Sequence, residues 1–332
     1  MSVFGCTLGW EGQEPTLPKH TSKTAGTKPS LAELRIDLAG KIVAHTPSAG
    51  ETATTVPGLT LFRQTAPTAC YLASVEPSVT IFVQGRKQIN IGGVEYHCDE
   101  TSFLIACIDL PIQSQIIEAS AAAPQLSMRL RLDMQIVREV VSREDLPQGK
   151  SSADRRGLAV GQSTAALLGA STRLIDLLDT PEDIPFLGHL IEREIIYRIL
   201  RTAQGERLRV IATAGNLSHR TAKAIAWLSA NYARPLRMEE LAEIARMGVS
   251  TLHHQFRALT AMSPLQFQKQ LRLRAARERM LRDGLDATSA AYEVGYESVS
   301  QFNREYSRFF GQPPMRDIKA IRNGNIVTID AA

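Results

Sequence analysis

The stretch DATSAAYEVGYESVSQFNREYSRFFG, residues 286–311, decides how the carboxyl-terminal third of the 332-residue chain is read. A short helix carries the small residue Ala291, and Gly295 four positions later supplies the turn. Ser298 with Gln301 three positions on is a capping-box pattern at the start of a second helix. In that helix Val299, Phe302, Tyr306 and Phe309 fall on a stripe expected to be buried, while Ser300, Gln301, Arg304 and Arg308 fall on the open side. Gly311 and then Pro313-Pro314 end it. A helix that is apolar on one face and lined with hydrogen-bonding groups on the other suits a DNA major groove, where each base pair presents its own donors and acceptors.

The unit recurs upstream as MEELAEIARMGVSTLHHQFRALT, residues 238–260. Leu241, Ile244 and Ala245 make an apolar stripe, and Ala242 is a small residue where a second helix can cross closely. Met247-Gly248-Val249 reads as the turn, with Ser250 as cap of the next helix. Leu252, Phe256 and Leu259 form its buried face, which leaves Ser250, Thr251, His253, His254 and Arg257 as candidate DNA contacts. Between the units Ser263-Pro264 opens a helix that runs to Asp283, with Gly284 beyond it. At about 1.5 Å per residue this linker spans roughly 27–30 Å. It can therefore hold two reading helices about one DNA turn, roughly 34 Å, apart. It carries Lys269, Arg272, Arg274, Arg277, Arg279 and Arg282 against Glu278 and Asp283. Some of these cations are expected to meet phosphate, others to pair with Glu278 or to cover apolar surface with their stems.

Charge separates this segment from the rest. Residues 221–322 hold 16 Lys and Arg against 10 Asp and Glu, whereas residues 1–220 hold 22 against 23. The basic excess belongs to the part expected to meet phosphates.

Residues 1–30, rich in Thr, Lys, Gly and Pro, read as a disordered tail, and Ser30 to Ala44 as a helix. Short β-rich runs follow at 59–64, 70–75, 79–85, 87–91, 94–97, 102–108, 113–118 and 126–132, with Gly92-Gly93 suited to a tight hairpin. Their number and spacing predict a small antiparallel barrel or sandwich. From Asp133 the pattern turns helical, with helices expected at Met134–Ser142, Ala159–Leu178 and Pro185–Ala203. Leu167, Leu168, Leu174, Ile175 and Leu178 on the second of these form a face that could make a dimer contact. No run approaches the 18 or more apolar residues a membrane span needs. Met1 to Trp10 lacks the pattern of a secretory signal. Cys6, Cys70, Cys98 and Cys107 show no metal-type spacing and are expected to stay as thiols in a reducing cytoplasm.

The helical third resembles the AraC/XylS family of bacterial transcription regulators. The likeness rests on SPLQFQKQLRLRAARERML (263–281), VGYESVSQFNREYSRFFGQPP (294–314) and LAEIARMGVSTLHHQF (241–256). The sequence departs from the family pattern at Arg246, where a small residue is usual, and at Gly248, where Ser is usual, which predicts a looser first turn. The β-rich part resembles the sensor domain of one subgroup through ETATTVPGLTLFRQ (51–64), EPSVTIFVQGRKQINIGG (76–93) and IDLPIQSQIIEAS (108–120). The resemblance implies an α+β chain: an amino-terminal cupin-like antiparallel β-barrel, a helical connector and an all-α domain with two helix-turn-helix units. The corresponding domains are a tail at 1–30, a barrel sensor at 31–132, a connector with a possible dimerisation role at 133–216, a DNA-binding domain at 217–322 and a tail at 323–332. Its partners would be double-stranded DNA, a small-molecule effector, RNA polymerase if the chain is an activator, and a second copy.

A different class of reading is a cupin-like β-barrel enzyme or small-molecule binding module with a helical appendage. A metal enzyme of that kind needs clustered His and a carboxylate, but His97 has no second His two residues away. Neither a phosphate-binding glycine loop nor a Gly-x-Ser-x-Gly nucleophile turn is present. No catalytic residue, cofactor or metal is therefore expected, and DNA-binding regulation is the function the sequence favours.

Overall fold

A computed structural model describes residues 29–143, 156–213 and 215–322. The tails expected at 1–30 and 323–332 therefore fall, apart from Pro29 and Ser30, outside the described residues, as does Cys6. Helix α1, Leu31–Ala44, opens on a capping box in which the Ser30 hydroxyl accepts from the Glu33 N–H and the Glu33 carboxylate accepts from the Ser30 N–H. It buries Leu38 and Ile42 against the β domain and the connector.

Ten strands follow: β1 Gly50–Ala53, β2 Leu59–Gln64, β3 Tyr71–Val75, β4 Ser78–Gln84, β5 Arg86–Ile91, β6 Val94–Cys98, β7 Ser102–Ala106, β8 Leu110–Glu118, β9 Gln125–Arg131 and β10 Leu158–Gln162. They form two antiparallel sheets of order β1-β2-β9-β4-β7-β10 and β3-β8-β5-β6. Central β4 is buried on both faces from Ser78 to Val83, whereas β6 alternates along its exposed edge. The β5–β6 hairpin pairs Ile91 with Val94, and both loop glycines, Gly92 and Gly93, take positive φ, as a tight two-residue turn demands.

The connector is not purely helical. Helix α2, Met134–Val141, lies where expected, but the helix expected at Ala159–Leu178 is a strand and a shorter helix. Leu158–Gln162 pairs with β7, from Leu158↔Ala106 to Gln162↔Ser102. Helix α3, Ala165–Asp176, starts only after Thr164, whose hydroxyl accepts from the Leu167 N–H. Leu167, Leu168, Leu174 and Ile175 are at most 1% exposed. They pack within the chain, where α3 lies against α1 and α4, and so cannot supply the dimer contact expected of them. After a 3-10 turn at Pro181–Asp183, the third expected helix is divided into a π-helical turn at Ile184–Gly188 and α4, His189–Leu200, before α5, Gly205–Ala212.

Seven helices complete the described chain: α6 Leu217–Ala230, α7 Met238–Ala245, α8 Val249–Thr260, α9 Pro264–Arg282, α10 Ala287–Glu293, α11 Val299–Phe310 and α12 Pro314–Arg322. One core runs from the sheets through the connector into α6–α8 and ends on Phe267 of α9. A second surrounds Leu273, Ala276 and Met280 of α9 with Ala290, Ala291, Phe302, Tyr306, Phe310 and Ile318. The linker helix thus has one end in each core. Among the described residues the β domain touches the helical domain through Leu72, which packs against the second core, and through contacts at Gly157, Gly92 and Arg274. Gly157 N–H donates to the Leu259 carbonyl at 2.9 Å, Gly92 abuts Ala261, and Arg274 donates to the carbonyls of Ala73 and Ile112.

Candidate nucleic-acid interface

In the first unit α7 turns into α8 through Arg246, which adopts the left-handed conformation (φ 50°, ψ 48°). Its N–H donates to Ala242 and Glu243, and the Arg220 guanidinium donates to its carbonyl, so the expected loose turn is well fastened. The cap of α8 is Gly248 rather than Ser250, because Gly248 holds the extended backbone a cap requires (φ −67°, ψ 152°). Ser250 becomes the second helical residue and faces solvent. Leu252, Phe256 and Leu259 are at most 2% exposed, whereas Ser250, Thr251, His253, His254 and Arg257 are all exposed.

The second unit is closed more tightly. Asp286 caps α10 by accepting from the N–H groups of Thr288 and Ser289. Gly295 has φ +89° and lies so near the Ala233 carbonyl that a Cβ would fall 1.9 Å from its oxygen, so no other residue fits the turn. Ser298 caps α11 by accepting from the Gln301 N–H at 3.3 Å. The Gln301 side chain does not close the capping box but donates to Glu305 Oε1 at 3.1 Å. The buried stripe runs through Phe302, Tyr306 and Phe310, with Phe309 and Val299 only half-buried. Ser300, Gln301, Arg304 and Arg308 are exposed, and so is Asn303, which the stripe pattern passed over although it lies at i+3 from Ser300.

The cations of α9 are mostly committed inside the domain. Arg272 donates to the carbonyls of Tyr232, Arg234, Ala233 and Gly295, tying α9 to the loop between α6 and α7 and to the turn of the second unit. Arg277 holds Asp317 through two 2.8 Å hydrogen bonds and stacks on Phe310. Arg279 pairs with Glu293, Arg282 with Glu278 as anticipated, and Lys269 with Glu305 at 2.8 Å. Arg274 is half-buried against the β domain without an acid, and the desolvation of its guanidinium pushes it down to about 9. By contrast, the side chains of His253, His254, Arg257, Arg304 and Arg308 have no hydrogen-bond or ion-pair partner among the described residues. Open donors thus line the exposed faces of α8 and α11, an arrangement that can hydrogen-bond base edges and phosphates together, and further exposed cations without a partner among the described residues lie outside them at Lys223, Arg237, Arg246, Arg316 and Lys319.

Elsewhere the chemistry is sparse. His97 is an exposed residue of β6 beside Glu95. Burial pushes the Cys98 and Cys107 thiols up to about 12. A groove of about 350 Å³ between α1 and β4 is lined by Arg35, Ile36, Val83, Gln84 and Glu100 among others.

Two family models match this chain. The amino-terminal domain of AraC-type transcriptional regulators matches residues 55–207, and a helix-turn-helix domain matches residues 241–319. The chain belongs to the AraC/XylS family of transcriptional regulators. Among relatives of this AraC/XylS member, the HTH-type transcriptional activator RhaS of Salmonella schwarzengrund is 27% identical over 168 residues, covering 51% of this chain and 57% of RhaS. RhaS of an Enterobacter species is 25% identical over 181 residues, covering 54% and 63%. The matches thus span less than two thirds of those relatives. Apo ToxT of Vibrio cholerae has the same fold, with a TM-score of 0.54 at 9% identity over 80% of this chain and 99% of ToxT. ToxT bound to an unsaturated fatty acid gives 0.50 at 10% identity over 79% and 93%.

Proposed function

We propose that this AraC/XylS-family chain binds double-stranded DNA sequence-specifically by laying α8 and α11 in two adjacent major grooves. The single observation that carries this reading is the division of cations: those of α9 are mostly held by internal partners, while Arg257, Arg304 and Arg308 are exposed without one. Ser250, Thr251, His253 and His254 accompany the first of these, and Ser300 and Gln301 the other two. At about 1.5 Å per residue the 19 residues of α9 span about 28 Å, near the separation of successive grooves on one face.

The β domain serves as sensor of a small organic effector, and the chain acts as an activator that engages RNA polymerase in the cytoplasm, with a second copy as a possible partner. The RhaS relatives are activators by name and ToxT has been seen with a fatty acid, which supports that reading. The sensor would reach the DNA-binding domain through Arg274, Gly157 and Gly92, which join it to α9 and to the end of α8.

Binding to a selected site and to scrambled DNA, measured over a range of salt, tests the reading. Arg304→Ala is expected to weaken the selected site by about 1–3 kcal/mol and relax one base position, while scrambled DNA is bound nearly as before. Unchanged affinity together with unchanged site preference would remove Arg304 from the interface.

A further inference from the structure

The reading face of α11 carries one acid. Glu305 is half-buried, and both its oxygens are occupied: Oε1 accepts from Lys269 Nζ at 2.8 Å and from Gln301 Nε2 at 3.1 Å, and Oε2 accepts from the Tyr296 hydroxyl at 2.9 Å. Partial burial pushes its carboxyl up, but the hydrogen bonds from Lys269, Gln301 and Tyr296 outweigh this and hold it below the usual carboxylate range. It is therefore an anion at neutral pH, paired with the ammonium of the linker helix.

The consequence lies in what a carboxylate can do. It only accepts, so the Gln301 amide must turn its NH₂ towards it, and the chemistry rather than the density of donors around it fixes which way the amide faces. Of the amide's groups, one N–H is spent on Glu305, while the second N–H and the carbonyl oxygen remain for a partner. An adenine edge offers an acceptor, N7, beside a donor, the N6 amino group, and matches that pair. Guanine offers two acceptors and thymine an acceptor with a methyl group, and neither matches. Without Glu305 the two amide orientations become nearly equivalent, and the preference for a donor-bearing base is diluted.

We propose that Glu305 is a positioning residue for base readout: held by Lys269 and Tyr296, it fixes the Gln301 amide so that α11 selects adenine at one position of the site. This rests on the reading that α11 enters a major groove. It adds which base that helix prefers and which side chains set the preference.

The test is position-by-position base preference. A selected site would be randomised one position at a time and bound to the full chain and to Gln301→Ala, Glu305→Ala and Arg304→Ala variants. A bidentate adenine contact corresponds to about 5- to 150-fold preference over the wrong base. Gln301→Ala should flatten one adenine position. Glu305→Ala should flatten that same position several-fold and leave the others intact. Should Glu305→Ala fail to fold, Tyr296→Phe removes one anchor of the carboxylate and is expected to weaken the same position partially. The proposal is overturned if Glu305→Ala, or Tyr296→Phe in its place, leaves that preference unchanged, or if the change spreads evenly over all positions, as simple loss of a negative charge would do. It is also overturned if Gln301→Ala flattens nothing. In that case a surviving effect of Arg304→Ala would still place α11 in the groove.

Discussion

Replacing Asp317 by Ala probes how the second reading helix is held. Asp317 is 0% exposed and is the only acid seen to accept from the Arg277 guanidinium among the described residues. It also accepts from the Tyr306 hydroxyl at 2.7 Å, so one carboxylate binds α9, α11 and α12 together. Tyr306, whose phenol is pushed up first by burial and then by this hydrogen bond, keeps its proton and stays a donor. In Asp317→Ala the Arg277 charge, 15% exposed, loses its counter-ion, and the Tyr306 hydroxyl loses its acceptor. Removing one partner of such a pair costs about 3–5 kcal/mol, mainly because a desolvated charge is left behind. That is a large part of the roughly 5–15 kcal/mol that holds a domain together. Chemical denaturation followed by circular dichroism would read the loss as a lower midpoint with an unchanged slope. Replacing the whole pair should recover most of it: Arg277→Met with Asp317→Leu removes charge and counter-charge together, which is often neutral or better. A loss below about 1 kcal/mol, or a double variant worse than Asp317→Ala alone, would refute the account of this network.

Gly295→Ala should unseat the second unit, because a Cβ there would clash with the Ala233 carbonyl, and a melting transition within a few degrees of wild type would contradict this. Arg274→Met removes the hydrogen bonds from the guanidinium to the carbonyls of Ala73 and Ile112. The contact between sensor and linker should loosen by about 1–3 kcal/mol, seen as faster proteolysis between the domains, whereas unchanged or slower cleavage would contradict it. Cys98 and Cys107, with thiols pushed by burial up to about 12, should resist alkylation at pH 8 in the folded chain, and rapid labelling of either would show that they are accessible thiolates.

Much of the second unit was legible because its signals are local. Gly295, Ser298, Phe302, Tyr306 and Gly311 lie within 17 residues, and each states its own backbone or burial requirement. The eight predicted strands were equally readable from their runs and turns. What escaped depended on distant partners. The segment Leu158–Gln162 is a short apolar run continuous with a helical pattern, and only pairing with β7, some 50 residues earlier, makes it a strand. The apolar residues of α3 resemble a free face until α1 and α4 are seen to cover them. Which cations of α9 are committed inside the chain is not legible locally because their partners are remote: Arg277 meets Asp317 40 residues later, and Arg274 meets Ile112 162 residues earlier. Serine is the better capping side chain, which points to Ser250 in the sequence, whereas Gly248 holds the extended backbone at the helix start. Glu305 went unnoticed because an acid on a basic face reads as solvated until its three donors are in view.

The central claim is that two reading helices, set apart by α9, occupy successive major grooves. Hydroxyl-radical footprinting of the full chain on a selected site tests it most directly. The account predicts two protected segments on one face of the duplex, centred about 10 base pairs apart, with Arg304→Ala weakening one segment and Arg257→Ala the other. A single protected segment, or two that weaken together whichever arginine is removed, would contradict it.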